Sequence, residues 1–62
     1  MRYELIRKEP EGTWSVWDGH QGAPAEFEGR PAEGLSLEEA QDIHALLESA
    51  DMKRRLYRGH IA

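Results

Sequence analysis

The chain has 62 residues, 12 acidic and 8 basic side chains, and no cysteine. This length leaves no room for a second domain of ordinary size, and the lack of cysteine excludes a disulfide scaffold and a thiolate zinc site. Hydrophobic residues make up 39% of the chain and include two tryptophans, which argues against intrinsic disorder. The sequence contains neither a run of about 20 apolar residues nor the apolar run of a signal peptide, so we expect a cytoplasmic protein.

The first third of the chain predicts a β-hairpin over residues 2–18. Residues 2–8 and 13–18 contain β-branched and aromatic side chains, and a turn sequence with Pro10 and Gly12 separates them. We expect a three-residue bulged turn in which the glycine takes the left-handed conformation.

The register of this hairpin decides which side chains share a face of the sheet. The bulged turn places Leu5 opposite Trp17, with Tyr3 on the same face, whereas a plain four-residue turn shifts the register. In the bulged register the other face carries Ile6, Trp14 and Val16. In either register Trp14 and Trp17 differ in parity within one strand, so they point to opposite sides of the sheet.

Turn-forming residues dominate the middle of the chain. Glycines and prolines between positions 19 and 34 are too frequent for a helix or a long strand. Within residues 25–28, Phe27 lies between two glutamates. We predict a short third strand there, and an extended loop whose phenyl ring closes the core edge is the alternative.

A helix is predicted over residues 36–50. Ser36 can cap its N-terminus and Glu39 completes a capping box. Leu35 can pack against Ala40 as a hydrophobic staple.

One apolar stripe runs along the predicted helix. Its members are Leu37, Ala40, Ile43, Leu47 and Ala50, with His44 and Leu46 at the margins. Met52 and Leu56 would project away from this stripe. We therefore predict a break near residues 49–51, with Asp51 capping a short helical extension, and a single helix running to Tyr57 is the alternative.

Together these elements predict an α+β fold in one small domain, residues 1–62, with an antiparallel sheet packed against one main C-terminal helix. The hairpin takes residues 2–18, the loop or short strand 19–34, the helix 36–50, and a basic helical extension with its tail 51–62. A chain this short has a thin core. Self-association as a homodimer would bury further apolar surface.

The sheet face that does not receive the helix is the first candidate binding surface. An exposed tryptophan flanked by polar residues is a common anchor at protein interfaces. We assign this role to Trp17, with Tyr3 beside it. The alternative is that the C-terminal tail folds back and covers Trp17 with Leu56, Tyr57 and Ile61.

Charge is unevenly distributed along the chain. Residues 9–51 contain eleven acids and one base, Arg30, whereas residues 52–62 contain four bases and no acid. A basic segment of this kind can contact nucleic-acid phosphates. The contacting side chains would be Lys53, Arg54, Arg55, Tyr57 and Arg58. The interpretation we favour is that these cations complement the helix dipole and pair with the acidic middle.

Acid–base chemistry has one weak candidate, Asp18 and His20 on a glycine-rich loop. Aspartate and glycine after a strand ordinarily form a turn, and no nucleophile completes a constellation. His44 and His60 lack the spacing of a zinc site, and phosphate-binding fingerprints are absent. We expect no enzyme, no cofactor and no metal, and the acidic helix disfavours membrane surfaces.

The sequence motifs are Gly12, Trp14 and Val16 in the second strand, Phe27 in the middle segment, and Leu-Glu-Glu-Ala at residues 37–40. In this order of elements the chain resembles the arm-binding N-terminal domains of phage integrases, which place a three-stranded sheet in a DNA groove. The resemblance covers residues 1 to about 50. The strand region carries the bases Arg2, Arg7 and Lys8 against the acids Glu4, Asp18, Glu26 and Glu28. Because phosphate contacts need basic strands, the resemblance implies topology rather than DNA binding.

The sequence therefore predicts a small non-enzymatic adaptor or regulatory protein that acts by protein–protein contact, with self-association as the simplest form. The alternative is a nucleic-acid-binding module that uses the basic segment together with stacking by Tyr57 or Trp17.

Overall fold

The computed structural model describes the backbone of residues 2–61 and the side chains of residues 2–54. Its elements are β1 (Tyr3–Lys8), β2 (Thr13–Asp18), β3 (Ala23–Pro24), β4 (Glu26–Phe27), β5 (Arg30–Pro31) and α1 (Leu37–Ile61). The first three strands form an antiparallel sheet in the order β1-β2-β3, and β4 and β5 form a separate hairpin. The predicted α+β class, a small antiparallel sheet packed against one C-terminal helix, is confirmed.

The β1–β2 hairpin closes through a loop of four residues, 9–12. Gly12 has a φ of 72°, and its N–H donates to the carbonyl four residues earlier at 2.9 Å. The left-handed glycine is thus confirmed, but the predicted three-residue register is wrong. The additional loop residue shifts the pairing by one, so that Leu5 lies opposite Val16 instead of Trp17.

Strand β2 is hydrogen bonded along both edges. On the side away from β1, the Val16 N–H donates to the carbonyl of Ala32 at 2.9 Å, and the Ala25 N–H donates to the Val16 carbonyl at 2.8 Å. Trp14 and Leu35 exchange a further pair of main-chain bonds. The irregular middle of the chain therefore satisfies the outer edge of β2.

The predicted short strand within residues 25–28 is present as β4, but it does not join the sheet as its third strand. The third strand of the sheet is β3, two residues earlier, and Phe27 pairs with Arg30 in the second hairpin. Glu28 and Gly29 both have positive φ, 52° and 78°, as a two-residue type I′ turn requires. Because this turn reverses the chain directly after Phe27, β4 pairs with β5, the strand that follows the turn.

Helix α1 begins at the predicted capping box, which is confirmed. The Glu39 N–H donates to Ser36 Oγ, and the Ser36 N–H donates to Glu39 Oε1, both at 3.1 Å. The hydrogen bond from the Ser36 backbone lowers the pKa of Glu39. Ala40 belongs to the buried core cluster, and Leu35 packs against that cluster.

The helix is continuous, so the predicted break near residues 49–51 is wrong. The side that faces the sheet consists of Ala40, Ile43, His44, Leu47 and Asp51. Leu37 and Ala50, which the predicted stripe placed inside, are exposed. Asp51 caps no second helix because its carboxylate turns to the sheet, where Arg2 donates to it.

The core lies between β2, the helix and the irregular middle of the chain. Its buried members are Tyr3, Val16, Ala25, Ala32 and Ala40. Leu5, Trp14, Leu35, Ile43 and Leu47 are partly buried around them. Three of the five buried residues are alanines. For Ala25 and Ala32 the reason is that their backbones lie directly against β2. For Ala40 the reason is that the helix lies directly against the sheet. The core is therefore as thin as the chain length predicts.

Candidate protein-contact surface

Alternate residues of the sheet point away from the helix, and we call this surface the open face. Its residues are Glu4, Ile6, Lys8, Thr13, Ser15, Trp17 and Pro24. Ile6 is 39% exposed, and Trp17 is half-buried and lies outside the core cluster. Ile6 pairs with the residue two positions before Trp17, which makes the two side chains diagonal neighbours. The open face has an apolar centre with charged residues beside it.

The two tryptophans lie on opposite sides of the sheet, as predicted. Trp14 packs against the core cluster, and Trp17 belongs to the open face. Helix α1 continues to Ile61 without reversing, whereas covering Trp17 with the tail requires a reversal. The side chains of Leu56, Tyr57 and Ile61, which that alternative invoked, lie outside the described residues.

Tyr3 does not accompany Trp17, and this part of the predicted surface is wrong. Tyr3 pairs with Asp18, is 5% exposed, and belongs to the core. The four-residue loop is the cause, since a shift of one residue moves every β1 side chain to the other face. Ile6, which the bulged register had placed with Val16, takes the position on the open face instead. The sequence left the length of this loop undecided, and the loop length determines which β1 side chains lie on the open face.

A charged network at the far end of the hairpin was not predicted. Arg2 donates from Nε and Nη2 to the two carboxylate oxygens of Asp18, and from Nη1 to Asp51 Oδ1, each at 3.1 Å. The Asp18 and Asp51 side chains are 5% and 10% exposed. The Arg2 guanidinium also lies over the Tyr3 ring, 5.0 Å from its centroid. This network ties the start of β1 and the end of β2 to the middle of α1.

The same contacts remove Asp18 from the catalytic candidates. The hydrogen bonds from Arg2 lower the pKa of Asp18 and raise the pKa of Arg2, so the pair stays ionised. The remaining capacity of Asp18 Oδ1 is used by the backbone N–H of His20 at 2.9 Å. An aspartate held in this way closes a turn and orients an arginine. It is not a proton acceptor awaiting a substrate.

An open groove of about 520 Å³ lies between the β4–β5 hairpin and the first half of α1. Its apolar lining consists of Phe27, Pro31, Ala32, Leu35 and Ile43. Glu28, Arg30, Glu33 and Glu39 add the charged lining. Phe27 therefore lines this groove from β4 and is not among the residues that pack against the core cluster. The groove is on the helix side of the sheet and is distinct from the open face.

The basic segment follows the part of α1 that packs on the sheet. Lys53 and Arg54 are exposed, and Arg54 Nη2 lies 3.9 Å from Asp51 Oδ1. This contact agrees with the pairing of cations and acids that we favoured for the segment. The side chains of Arg55, Tyr57 and Arg58 lie outside the described residues.

Comparison with known proteins adds no family to these observations: no family model, curated protein or solved structure matches the chain. Within the described residues, α1 is too polar to be a membrane-crossing helix. The same residues contain no group of three or more histidine, aspartate or glutamate side chains arranged to hold a metal ion. The geometry of the surface is therefore the basis for assigning a function.

Proposed function

We propose that this chain is a small non-enzymatic adaptor or regulatory protein that acts by protein–protein contact through the open face. The observation that carries the proposal is the pair Ile6 and Trp17, two large apolar side chains on the sheet face opposite the helix. Single exposed apolar residues are ordinary, but adjacent ones on a flat face rimmed by charge are typical of a contact surface.

Tryptophan is a frequent anchor of such surfaces. It buries a large area at a small cost in side-chain entropy, and it is enriched among the residues that dominate interfaces. Trp17 lies outside the core cluster, so its partly exposed indole is not needed to hold the helix on the sheet. Cytoplasmic location is part of the proposal and is supported by the absence of cysteine.

Site-specific photocrosslinking in cells tests the proposal. A photoreactive residue at Ser15 reports on the open face, and the same residue at Leu46, which is 57% exposed on the helix, is the matched control. We expect protein adducts from position 15 that disappear in a Trp17→Ala background. Adducts that form equally from both positions, or that persist without the indole, contradict the proposal. Their masses distinguish a second copy of the chain from another protein.

The alternative proposal is nucleic-acid binding through the basic segment. Its support is the sequence of that segment and the exposure of Lys53 and Arg54. Several phosphate contacts make binding steeply dependent on salt, because each contact releases condensed counterions. Binding to short DNA or RNA should therefore weaken by far more than about twofold between 50 and 200 mM salt. Absent or salt-insensitive binding excludes this alternative.

A further inference from the structure

Strand β1 is an edge of the sheet, and its outer main-chain groups can be assigned. The Gly19 N–H donates to the Arg2 carbonyl across the hairpin at 2.7 Å. Since an antiparallel ladder alternates, the main-chain groups of Glu4, Ile6 and Lys8 face β2, and those of Leu5 and Arg7 face outward. No strand lies beside them within the described part of the chain.

The Tyr3 carbonyl also faces outward and supports this assignment. His44 Nε2 donates to it at 3.1 Å, so a helix side chain caps that end of the edge. The capped residue lies at the start of β1, and the outward groups of Leu5 and Arg7 lie further along the strand. An edge strand left open in this way is a template for pairing with another strand.

The open-face side chains of β1 are complementary to themselves. They follow the order Glu4, Ile6, Lys8, so an antiparallel copy centred on Ile6 brings each glutamate opposite a lysine. A register centred on Leu5 places Glu4 opposite Ile6 and Lys8 opposite Arg2, and one centred on Arg7 places Lys8 opposite Ile6 and Glu4 opposite Pro10. Registers centred on Glu4 or Lys8 oppose like charges, which is unfavourable. One register alone satisfies both charges.

We infer that the chain pairs with a second copy of itself by antiparallel pairing of β1 with β1 about a two-fold axis at Ile6. This inference goes beyond the proposed function, because the pairing uses the edge beside the open face and extends that face across both chains. In this register Leu5 of each chain is opposite Arg7 of the other, so the outward N–H and C=O groups form the hydrogen-bonded pairs. Ile6 meets its own copy in the closer, non-hydrogen-bonded position.

The pairing joins the sheets and the open faces of the two chains. Two three-stranded sheets become one continuous sheet, and the edge is closed. The apolar centres of the two open faces join into a strip that runs from Trp17 of one chain through both Ile6 side chains to Trp17 of the other. On the covered side, the aliphatic stem of Arg7, whose side chain is 58% exposed, lies over the half-buried Leu5 of the other chain. The interface is isologous, as two-fold dimers are.

Sedimentation equilibrium on the full chain with charge-swapped variants tests the inference. Glu4→Lys and Lys8→Glu each oppose like charges in both symmetry-related pairs, so each should weaken dimerisation by about tenfold or more. The double variant Glu4→Lys/Lys8→Glu restores opposite charges and should return the dissociation constant to near its original value. Glu11→Lys, at an exposed loop position, is the control for net charge.

Amide hydrogen exchange provides a second readout within the unmodified chain. Protection of the Leu5 and Arg7 amides should rise with protein concentration, and protection of the Glu4 and Ile6 amides, which already face β2, should not. A monomeric chain at 200 µM, or a dimer that ignores both single charge variants, overturns the inference. Crosslinks from position 15 to a different protein would then still support the proposed function, so the two failures are distinguishable.

Discussion

The two faces of one small sheet differ sharply although their residues alternate along the same two strands. Val16 has no exposed surface and Tyr3 only 5%, while Ile6 is 39% exposed. Side chains of similar hydrophobicity are therefore sorted by register rather than by composition. A single additional loop residue decides whether Tyr3 or Ile6 joins the core.

The charged residues of the two faces also differ in how deeply they are buried. On the covered side, Arg2 is surrounded by Asp18 and Asp51 at hydrogen-bonding distance. On the open side, Glu4 and Lys8 are exposed residues of an edge strand. Buried charges must be paired within the chain because water is excluded from them. Exposed charges are free to select a partner and its orientation.

Replacing each tryptophan in turn is the strongest test of the difference between the two faces. We expect Trp14→Ala to lower the free energy of unfolding by about 3 kcal/mol, because the indole packs on the core. Trp17→Ala should lower it by about 1 kcal/mol. Urea unfolding at low protein concentration measures both. Equal losses would show that the open face is as well packed as the covered face.

Acrylamide quenching of the two single-tryptophan proteins makes the same comparison without unfolding. The indole of Trp17, measured in Trp14→Phe, should be quenched more readily than that of Trp14, measured in Trp17→Phe. Complete shielding of both would remove the basis for a contact surface at Trp17.

A larger side chain at the helix–sheet contact tests how closely the covered face is packed. Ala40 is fully buried, so Ala40→Leu should cost about 2 kcal/mol through overpacking. Ala45 lies on the exposed side of the same helix, and Ala45→Leu should change stability by less than about 0.5 kcal/mol. Thermal unfolding of the two variants provides the measurement. A neutral Ala40→Leu would mean that the helix can move off the sheet.

Acid should weaken the covered face through Asp18. Its pKa in the folded chain lies below the ordinary value of 3.8, so its contribution is complete above that pH and is lost as pH falls through the folded pKa. Asp18→Asn should cost about 1.5 kcal/mol at pH 7, since it removes charge-assisted bonds to Arg2. The difference from the original chain should shrink below pH 4. Asp42→Asn, at an exposed helix position, is the control.

The smallest expected effect is at the capping box that fixes where the helix begins. Ser36→Ala removes the acceptor for the Glu39 N–H and should cost about 1 kcal/mol. Ser49→Ala, at an exposed position within the helix, should leave stability unchanged or slightly raised because alanine favours helix. Denaturant midpoints of the two variants separate the cap from general helix propensity.

Local chemistry was the part of the fold that could be predicted. The capping box of Ser36 and Glu39 needs only four consecutive residues, and the opposed tryptophans follow from strand parity alone. The left-handed Gly12 was likewise predictable because few other residues take that conformation. The position of the third strand was missed because the two-residue turn at Glu28 and Gly29 was not recognised as a hairpin of its own.

The candidate site was predicted in part for the same reason. Trp17 lies on the open face, as predicted, but the predicted register also places Tyr3 beside it. The residue that accompanies it, Ile6, could be found only once the loop length was known. The network of Arg2, Asp18 and Asp51 joins residues up to 49 positions apart, a separation at which sequence patterns carry no signal.

The sequence by itself determined the class of fold, the start of the helix and the separation of the two tryptophans, since each depends on neighbours within a turn or along one strand. Tertiary structure decided the hairpin register, the position of the third strand and the continuity of the helix. These depend on contacts between residues that are far apart in the chain, such as those of Arg2 with Asp18 and Asp51. Asp51 illustrates the division, because a residue with the local pattern of a helix cap lies inside a continuous helix and accepts a hydrogen bond from Arg2, 49 positions away.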